Sequence, residues 1–168
     1  MQLIEISKAR YRRHLNLVIV GCICGLVIGS LVISQTLIGL FPDESGSHFN
    51  WNLLGVVMAS VTIAWLLNKY RTHDFMTEVV YVWDLKQSLN KINRRIPRLK
   101  AASLLGNLNA VLAIHYSYAA SRLLWQLDDN TIVMEELAIQ QAELDKIASE
   151  YNLTLNLDDY DESILKQF

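Results

Sequence analysis

The sequence is poor in the residues that build covalent or metal-bound frameworks. It has only two cysteines and two prolines among 168 residues. Cys22 and Cys24 are two positions apart, so on a helix they point to different sides and do not bridge each other comfortably. The four histidines fall in separate places, and no cluster of His, Cys, Asp and Glu has the spacing of metal ligands. These absences exclude a disulfide framework, and we expect neither a metal nor another cofactor.

Sequence motifs for enzymatic chemistry are also missing. There is no G-x-S-x-G nucleophile motif, no phosphate-binding P-loop and no G-x-G-x-x-G dinucleotide motif. His115 lies in an amphipathic helical pattern, where a structural role is a better interpretation than catalysis. The acidic run at residues 158–162 lacks the spacing and the glycine of an EF-hand loop, so we interpret it as a solvated acidic face. We therefore expect a protein that is not an enzyme.

Charge is absent from two long stretches of the chain. Residues 15–41 contain no charged side chain, and at ~1.5 Å per residue a helix of this length exceeds the ~30 Å hydrocarbon core of a bilayer. Residues 49–67 are also uncharged. The first run is too long for a secretory signal, and no small-residue cleavage site ends it. The two runs therefore predict two transmembrane helices.

Charged residues beside these runs predict the topology. The stretch before the first run is basic, and Lys69 and Arg71 follow the second run. The turn between the runs, residues 42–48, has no Lys or Arg. Because basic flanks stay in the cytoplasm, we predict that both termini are cytoplasmic and that the turn faces outward. Aromatic residues are expected at the two interfaces: Phe41, Phe49 and Trp51 on the outer side, and Tyr11, Trp65 and Tyr70 on the inner side.

This topology divides the chain into a membrane domain, residues 1–71, and a cytoplasmic domain, residues 72–168. The cytoplasmic part begins with a short apolar seam of the coiled-coil type, whose members recur at alternating steps of three and four residues: Val82, Leu85, Leu89, Ile92 and Ile96. Thr72 and Asp74 are both candidates to cap a new helix here, so the continuity of the second span into this helix stays open. Pro97 is expected to kink or end the seam helix.

Further helices are predicted by apolar stripes and capping residues. Residues 108–127 carry an apolar stripe, and residues 128–131 begin another helix with acids in its first turn. The apolar face of that helix comprises Val133, Leu137, Leu144, Ile147 and Tyr151. Asn152 suits a left-handed helix end. Residues 153–157 alternate like a strand without a partner, so we expect an extended segment across the helices or pairing with a second copy, followed by a short helix at 162–168. The predicted fold is all-α, a transmembrane helix hairpin with a cytoplasmic helical bundle.

The two parts of the chain differ in charge. Residues 1–100 hold 12 Lys and Arg against 6 Asp and Glu, whereas residues 101–168 hold 3 against 11. A basic face on the first part comprises Lys91, Arg94, Arg95 and Arg98. On a straight helix this face would lie ~36 Å from the membrane, far beyond the ~8 Å screening length, so we expect it to pair with the acidic second part. We expect no nucleic-acid binding, because the domain as a whole is acidic.

Small residues recur in both apolar runs. Gly21, Gly25 and Gly29 repeat every four residues, and Gly55 and Ala59 have the same spacing in the second run. Such stripes allow transmembrane helices to approach closely. Two interpretations stay open: packing between the two spans of one subunit, and assembly of several subunits. A pore would need polar lining, for which the candidates are Ser30, Ser34, Gln35, Asn52, Ser60 and Thr62.

Several segments carry a resemblance to a known family. In order they are YRRHLNLVIVGC, FPDESGSHFNWNLLGV, FMTEVVYVWDLK, QLDDNTI and LNLDDYD. Together the chain resembles a family of short bacterial membrane proteins of unknown function over nearly its whole length. The resemblance implies a bacterial inner-membrane location and supplies no activity. We expect a multi-pass, non-enzymatic protein in the lipid bilayer that assembles through its helices as a homo-oligomer or with another membrane protein; the alternative is a small oligomeric channel or transport-complex component.

Overall fold

The computed structural model describes residues 2–42, 46–130 and 134–168, and it contains helices without strands in these ranges. The first two helices are α1, Lys8–Leu40, and α2, Phe49–Lys69. A 3₁₀ turn, Asp74–Met76, then leads to α3, Thr77–Asn93, α4, Ile96–Ser103, and α5, Leu108–Asp128. After α6, Met134–Glu150, come two 3₁₀ segments, Leu157–Asp159 and Glu162–Gln167. The prediction of an all-α fold is confirmed.

The chain divides into two compact units. One, here called the helix-pair unit, comprises Ala9–Val80. The other, here called the bundle unit, comprises Met1–Lys8 together with Tyr81–Phe168. The division therefore falls inside α3, nine residues beyond the end of the membrane domain that the sequence predicts.

In the helix-pair unit, α1 and α2 contact each other in antiparallel register. Facing positions are Gly25 and Ile63, Gly29 and Ala59, and Ser34 and Gly55, so steps of four and five residues along α1 match steps of four residues back along α2. Extending this register places Lys69, the last residue of α2, level with Ile19. Residues 9–18 of α1 therefore extend beyond α2 by about 15 Å.

The second helix ends at Lys69 and does not continue into α3. The chain turns at residues 70–72, and the His73 ring then accepts a hydrogen bond from the Phe75 amide at 3.2 Å. This bond caps the 3₁₀ turn that leads into α3. His73 is therefore the N-cap residue, and neither Thr72 nor Asp74 has this role. Because the chain turns here, α2 does not continue unbroken into α3.

The bundle unit is organised around α5. This helix contacts α4, α6 and both of the last 3₁₀ segments, and it is buried over much of its circumference, including Ile114, Tyr116 and Leu124. Asn107 begins α5 by accepting a hydrogen bond from the Ala110 amide at 3.1 Å. A helix surrounded in this way is the core of its unit.

Four of the five seam residues are buried and Ile96 is half-buried, and the seam helix is broken earlier than expected. Val82, Leu85, Leu89 and Ile92 are all less than 9% exposed. The helix ends at Asn93, a turn follows at residues 94–95, and α4 starts at Ile96 with Pro97 in its first turn. Proline is tolerated there because the first amides of a helix have no intrahelical acceptor. Pro97 therefore helps to begin α4, and the expectation that it kinks or ends the seam helix is wrong.

The segment after α6 crosses the bundle as an extended chain. Asn152 has φ +51°, which confirms the predicted left-handed residue at the end of α6. Residues 153–156 have no regular structure, and the following 3₁₀ segment contacts α5. The segment thus lies across the helices within one chain. Two predicted features, Val133 in the apolar face and residues 43–45 of the outer turn, lie outside the described residues.

Candidate functional site

The tightest contact between α1 and α2 is at Gly55. A Cβ atom there would lie 2.8 Å from the Ser30 carbonyl oxygen and 3.1 Å from the Ser34 amide nitrogen, and it would collide with the Ser34 hydroxyl. Ser34 is 4% exposed. Because two of these neighbours are backbone atoms, the close approach of the helices depends on glycine at this position.

Two of the three stripe glycines on α1 also face α2. A Cβ at Gly29 would lie 3.4 Å from the Cβ of Ala59, and one at Gly25 would lie 3.6 Å from Cδ1 of Ile63. A Cβ at Gly21 would have no neighbour within 4 Å. Residues four apart advance ~400° around a helix, so Gly21 is rotated ~80° from Gly29 and has left the contact face. The structure brings Gly25, Gly29, Gly55 and Ala59 together and leaves Gly21 open.

The hydroxyl groups of the two apolar helices bond largely to their own backbone. Ser30 donates to the Val27 carbonyl at 3.1 Å, Ser60 to Val56 at 2.8 Å, and Thr62 to Met58 at 2.8 Å. These hydroxyls need no partner from outside the helix pair. Sequence reasoning treated Ser30 and Ser34 only as pore-lining candidates and missed them as contacts of Gly55. Their positions, one and five residues after Gly29, were the available signal.

An apolar groove lies on the surface of the helix pair. Its volume is about 290 Å³, and its lining is Cys22, Ile23, Leu26, Ser60, Ile63, Ala64 and Leu67. Gly21, the open stripe position, directly precedes Cys22. Cys22 is partly exposed in this groove, whereas Cys24, two residues on, is exposed and does not line it.

A buried carboxylate, Glu78, joins the first turns of α1 to the first turn of α3. Its side chain lies 2.8 Å from Arg10 Nε and 3.3 Å from His14 Nδ1, and the residue is 8% exposed. The His14 ring stacks on Phe75 with 4.2 Å between centroids. The first turn of a helix favours an acid because of the helix dipole. Sequence reasoning missed this cluster, although Glu78 is the single charge between Phe75 and Trp83 in the sequence.

The basic face of the bundle unit makes mixed contacts. Lys91 forms an ion pair with Glu162 at 2.6 Å, Arg98 donates to the Phe168 carbonyl at 2.6 Å, and Arg95 donates to the Lys91 carbonyl at 3.4 Å. Arg94 is exposed. Among the contacts of the described residues, Lys91 is thus the predicted residue that pairs with an acid of the second part of the chain. Two lysines outside this face do the same: Lys86 pairs with Asp128 at 3.4 Å, and Lys8 pairs with Asp129.

A small cleft lies between α4, α5 and α6. Its volume is about 150 Å³, and Lys100, Tyr118 and Glu143 are its polar lining together with Ser103 and Gln140. Burial, followed by the nearby Glu143 carboxylate, raises the pKa of Tyr118. Typical small-molecule sites measure ~300–1,000 Å³, so this cleft is too small for a cofactor. Among residues 2–42, 46–130 and 134–168 no three His, Cys, Asp or Glu side chains are grouped to hold a metal ion.

These features define an all-helical protein with two helices that are long and apolar enough to cross a membrane. Residues 1–165 match the model of the family described as Protein of unknown function (DUF3087), and the chain belongs to that family. The resemblance to an uncharacterised family is thereby confirmed. No curated protein and no solved structure matches the chain.

Proposed function

We propose that this chain is an integral protein of the bacterial inner membrane, with α1 and α2 as its two spans and both termini in the cytoplasm. Its role is non-enzymatic assembly, through its helices, with itself or with another membrane protein. The channel or transport-complex alternative has less support, because Ser30, Ser60 and Thr62 bond to their own helices and do not offer a polar lining.

The observation that carries the proposal is the exposure of the two apolar helices. Only 6% of the most apolar 18-residue window of α1 is buried, and only 11% of that of α2. An apolar helix of a soluble protein is buried in a core. A surface this apolar and this long is instead suited to lipid, which covers it without a protein partner.

Residues near the helix ends support the orientation. Lys69 Nζ lies 4.8 Å from the Trp65 ring centroid at the end of α2, an arrangement suited to the inner headgroup region. At the opposite end Phe41 stacks on Trp51 with 5.7 Å between centroids. Tyr11 is 2% exposed, so its ring is not counted as part of the proposed inner aromatic belt.

Topology is tested with reporters that are active only outside the cytoplasm. Inserted after Gly46, such a reporter should be active; fused after Phe168, it should be silent. A cytoplasmic reporter at the same two positions is the matched control and should give the reverse pattern. Activity of the external reporter at Phe168 would overturn the proposed orientation.

Assembly is tested with the two native cysteines. Cys24→Ala leaves Cys22 in the groove, and Cys22→Ala leaves Cys24 on another side of α1. After oxidation of native membranes, disulfide-linked dimers from Cys22 and not from Cys24 would support self-assembly at the groove. Equal yields would indicate random collision and contradict it. If neither cysteine gives dimers, the proposal requires that another membrane protein co-purifies in stoichiometric amount after mild detergent extraction. The absence of such a partner would refute the assembly role. Conductance of the protein in reconstituted bilayers would also refute it.

A further inference from the structure

Three hydroxyl groups meet in the interior of the bundle unit. Ser88 is on α3, Tyr116 is on α5, and Tyr160 lies between the last two 3₁₀ segments. Ser88 and Tyr116 are 0% exposed, and Tyr160 is 4% exposed. The two phenol rings are stacked, with 4.0 Å between centroids and 20° between planes. Elements that are distant in sequence thus bring three polar groups into one apolar region.

None of the three hydroxyls has hydrogen-bond geometry to another protein group. The Ser88 hydroxyl is nevertheless within range of both phenols, where a hydrogen bond from it would lower their pKa values and oppose the rise. That rise comes first from burial. A buried hydroxyl without a partner costs ~1–3 kcal/mol, and buried polar side chains in folded proteins nearly always have one.

We propose that the hydroxyls of Ser88, Tyr116 and Tyr160 form a binding site for one buried water molecule that attaches the C-terminal segment, residues 153–168, to α3 and α5. A water offers two donors and two acceptors, and a buried water typically makes about three hydrogen bonds. Each hydroxyl can donate and accept, so one water satisfies all three.

The site has a structural consequence for the C-terminal segment. Other polar contacts of this segment are exposed: Lys91 with Glu162 at 2.6 Å, and Asn109 with Gln167 at 3.0 Å. Exposed pairs contribute little. Its buried contacts are Tyr160 and Leu165. The water site is therefore the one buried polar attachment described for a segment that has no long helix of its own.

Removal of one hydroxyl at a time tests the site in the full chain. Tyr116→Phe and Tyr160→Phe keep the stacked rings, and each should raise the equilibrium constant for unfolding about five- to tenfold, because the remaining hydroxyls lose a shared partner. Tyr70→Phe, at a half-exposed position, is the matched control and should change nothing. If the equilibrium constant for unfolding fell in Tyr116→Phe and Tyr160→Phe, these hydroxyls would have no partner. That result would overturn the proposal.

A direct contact of Ser88 with both phenols would also make these variants less stable, so a second measurement separates the two cases. A crystal structure of the full chain, at a resolution that shows ordered water, should have one water oxygen within hydrogen-bond distance of at least two of the three hydroxyl oxygens. Density for Ser88 bonded directly to both phenols, without a water, would refute the site. In the Tyr116→Phe variant the water should stay between Ser88 and Tyr160.

Discussion

The two units of this protein bury different kinds of residue. Within their apolar stretches, α1 and α2 bury Ser34, Gly55 and Ala59, all of them small. The bundle unit buries large side chains, such as Ile92, Ile114 and Tyr116. In water, burial of apolar surface stabilises by ~25 cal/mol per Å², which favours large side chains in a core. In lipid this driving force is absent, and close approach of backbones replaces it. This difference in what the two units bury is what the proposed membrane location of α1 and α2 predicts.

The largest loss of stability is expected from a charge placed in the bundle core. Ile92 is 0% exposed, so Ile92→Asp buries a carboxylate without a partner. We expect a loss of more than ~4 kcal/mol, enough to unfold the unit. Circular dichroism and limited proteolysis of the full chain in detergent measure this. Arg94→Gln, two residues on at an exposed position, should change stability by less than ~0.5 kcal/mol; a similar loss in both variants would contradict the assignment of stability to the apolar seam.

A single methyl group should loosen the helix-pair unit. Gly55→Ala brings a Cβ against the Ser30 carbonyl oxygen and the Ser34 hydroxyl, so the helices must separate. Overpacking of this kind costs ~1–3 kcal/mol. Thermal unfolding in detergent micelles should show a lower midpoint. The matched control is Gly21→Ala, which meets nothing within 4 Å and should be neutral or slightly stabilising. Equal effects at both positions would refute Gly55 as the closest contact.

Substitutions in the Glu78 cluster should reduce stability by a smaller amount, and the loss should be larger for Arg10 than for Glu78. Arg10→Gln removes the guanidinium that pairs with the buried Glu78 carboxylate, whereas Glu78→Gln removes the buried charge itself. Because an uncompensated buried charge costs more than a neutral amide, Arg10→Gln should lose ~1–2 kcal/mol and Glu78→Gln less than ~1 kcal/mol. Since Arg10 is 56% exposed, both values lie well below those of a fully buried pair. Thermal unfolding of both variants and of the double variant measures these losses. A larger loss for Glu78→Gln than for Arg10→Gln would show that Glu78 is well hydrated.

Alkaline pH should reduce the stability of the bundle unit, and this is the smallest of the expected effects. Burial raises the pKa of Tyr116 to about 12 and also raises the pKa of Tyr160. An unfolded tyrosine titrates near ~10, so the folded unit retains these protons more strongly. The associated stability is complete below pH ~10 and is lost as the pH rises from about 10 toward 12. Denaturant unfolding between these pH values measures the loss, and the Tyr116→Phe, Tyr160→Phe double variant should show a shallower decline. Parallel declines would contradict the burial of the phenols.

Much of the local structure follows from the sequence, because it depends on short-range signals. The uncharged runs at 15–41 and 49–67 predict α1 and α2, and the pattern at 108–127 predicts α5 within one residue of its observed end. Asn152 in the left-handed region is another local property. The break at residues 94–95 was not predictable, since no Gly or Pro marks it and Pro97 indicates a later position.

The candidate sites depend on contacts between distant segments, and for that reason the sequence predicts them less well. The spacing of Gly25 and Gly29 indicates a contact face, but the register that sets Gly55 against Ser34 is a tertiary property. The Glu78 cluster joins residues 10, 14 and 78, and the hydroxyl cluster joins residues 88, 116 and 160. No periodicity connects positions so far apart. The length and apolarity of α1 and α2 are predictable, because a run without charge is a property of the sequence alone.

Small residues hold α1 against α2 within one chain. Paired cysteines test this contact directly: Gly29→Cys with Ala59→Cys, in a chain whose Cys22 and Cys24 are replaced by Ala. A Cβ at position 29 lies 3.4 Å from the Cβ of position 59, close to the ~3.5–4.5 Å of a disulfide. Oxidation of native membranes should give an intramolecular disulfide at monomer size in this variant, and little in a control with cysteines at 21 and 59. Crosslinked dimers without the monomeric disulfide would show that the stripe joins separate subunits and would contradict the account.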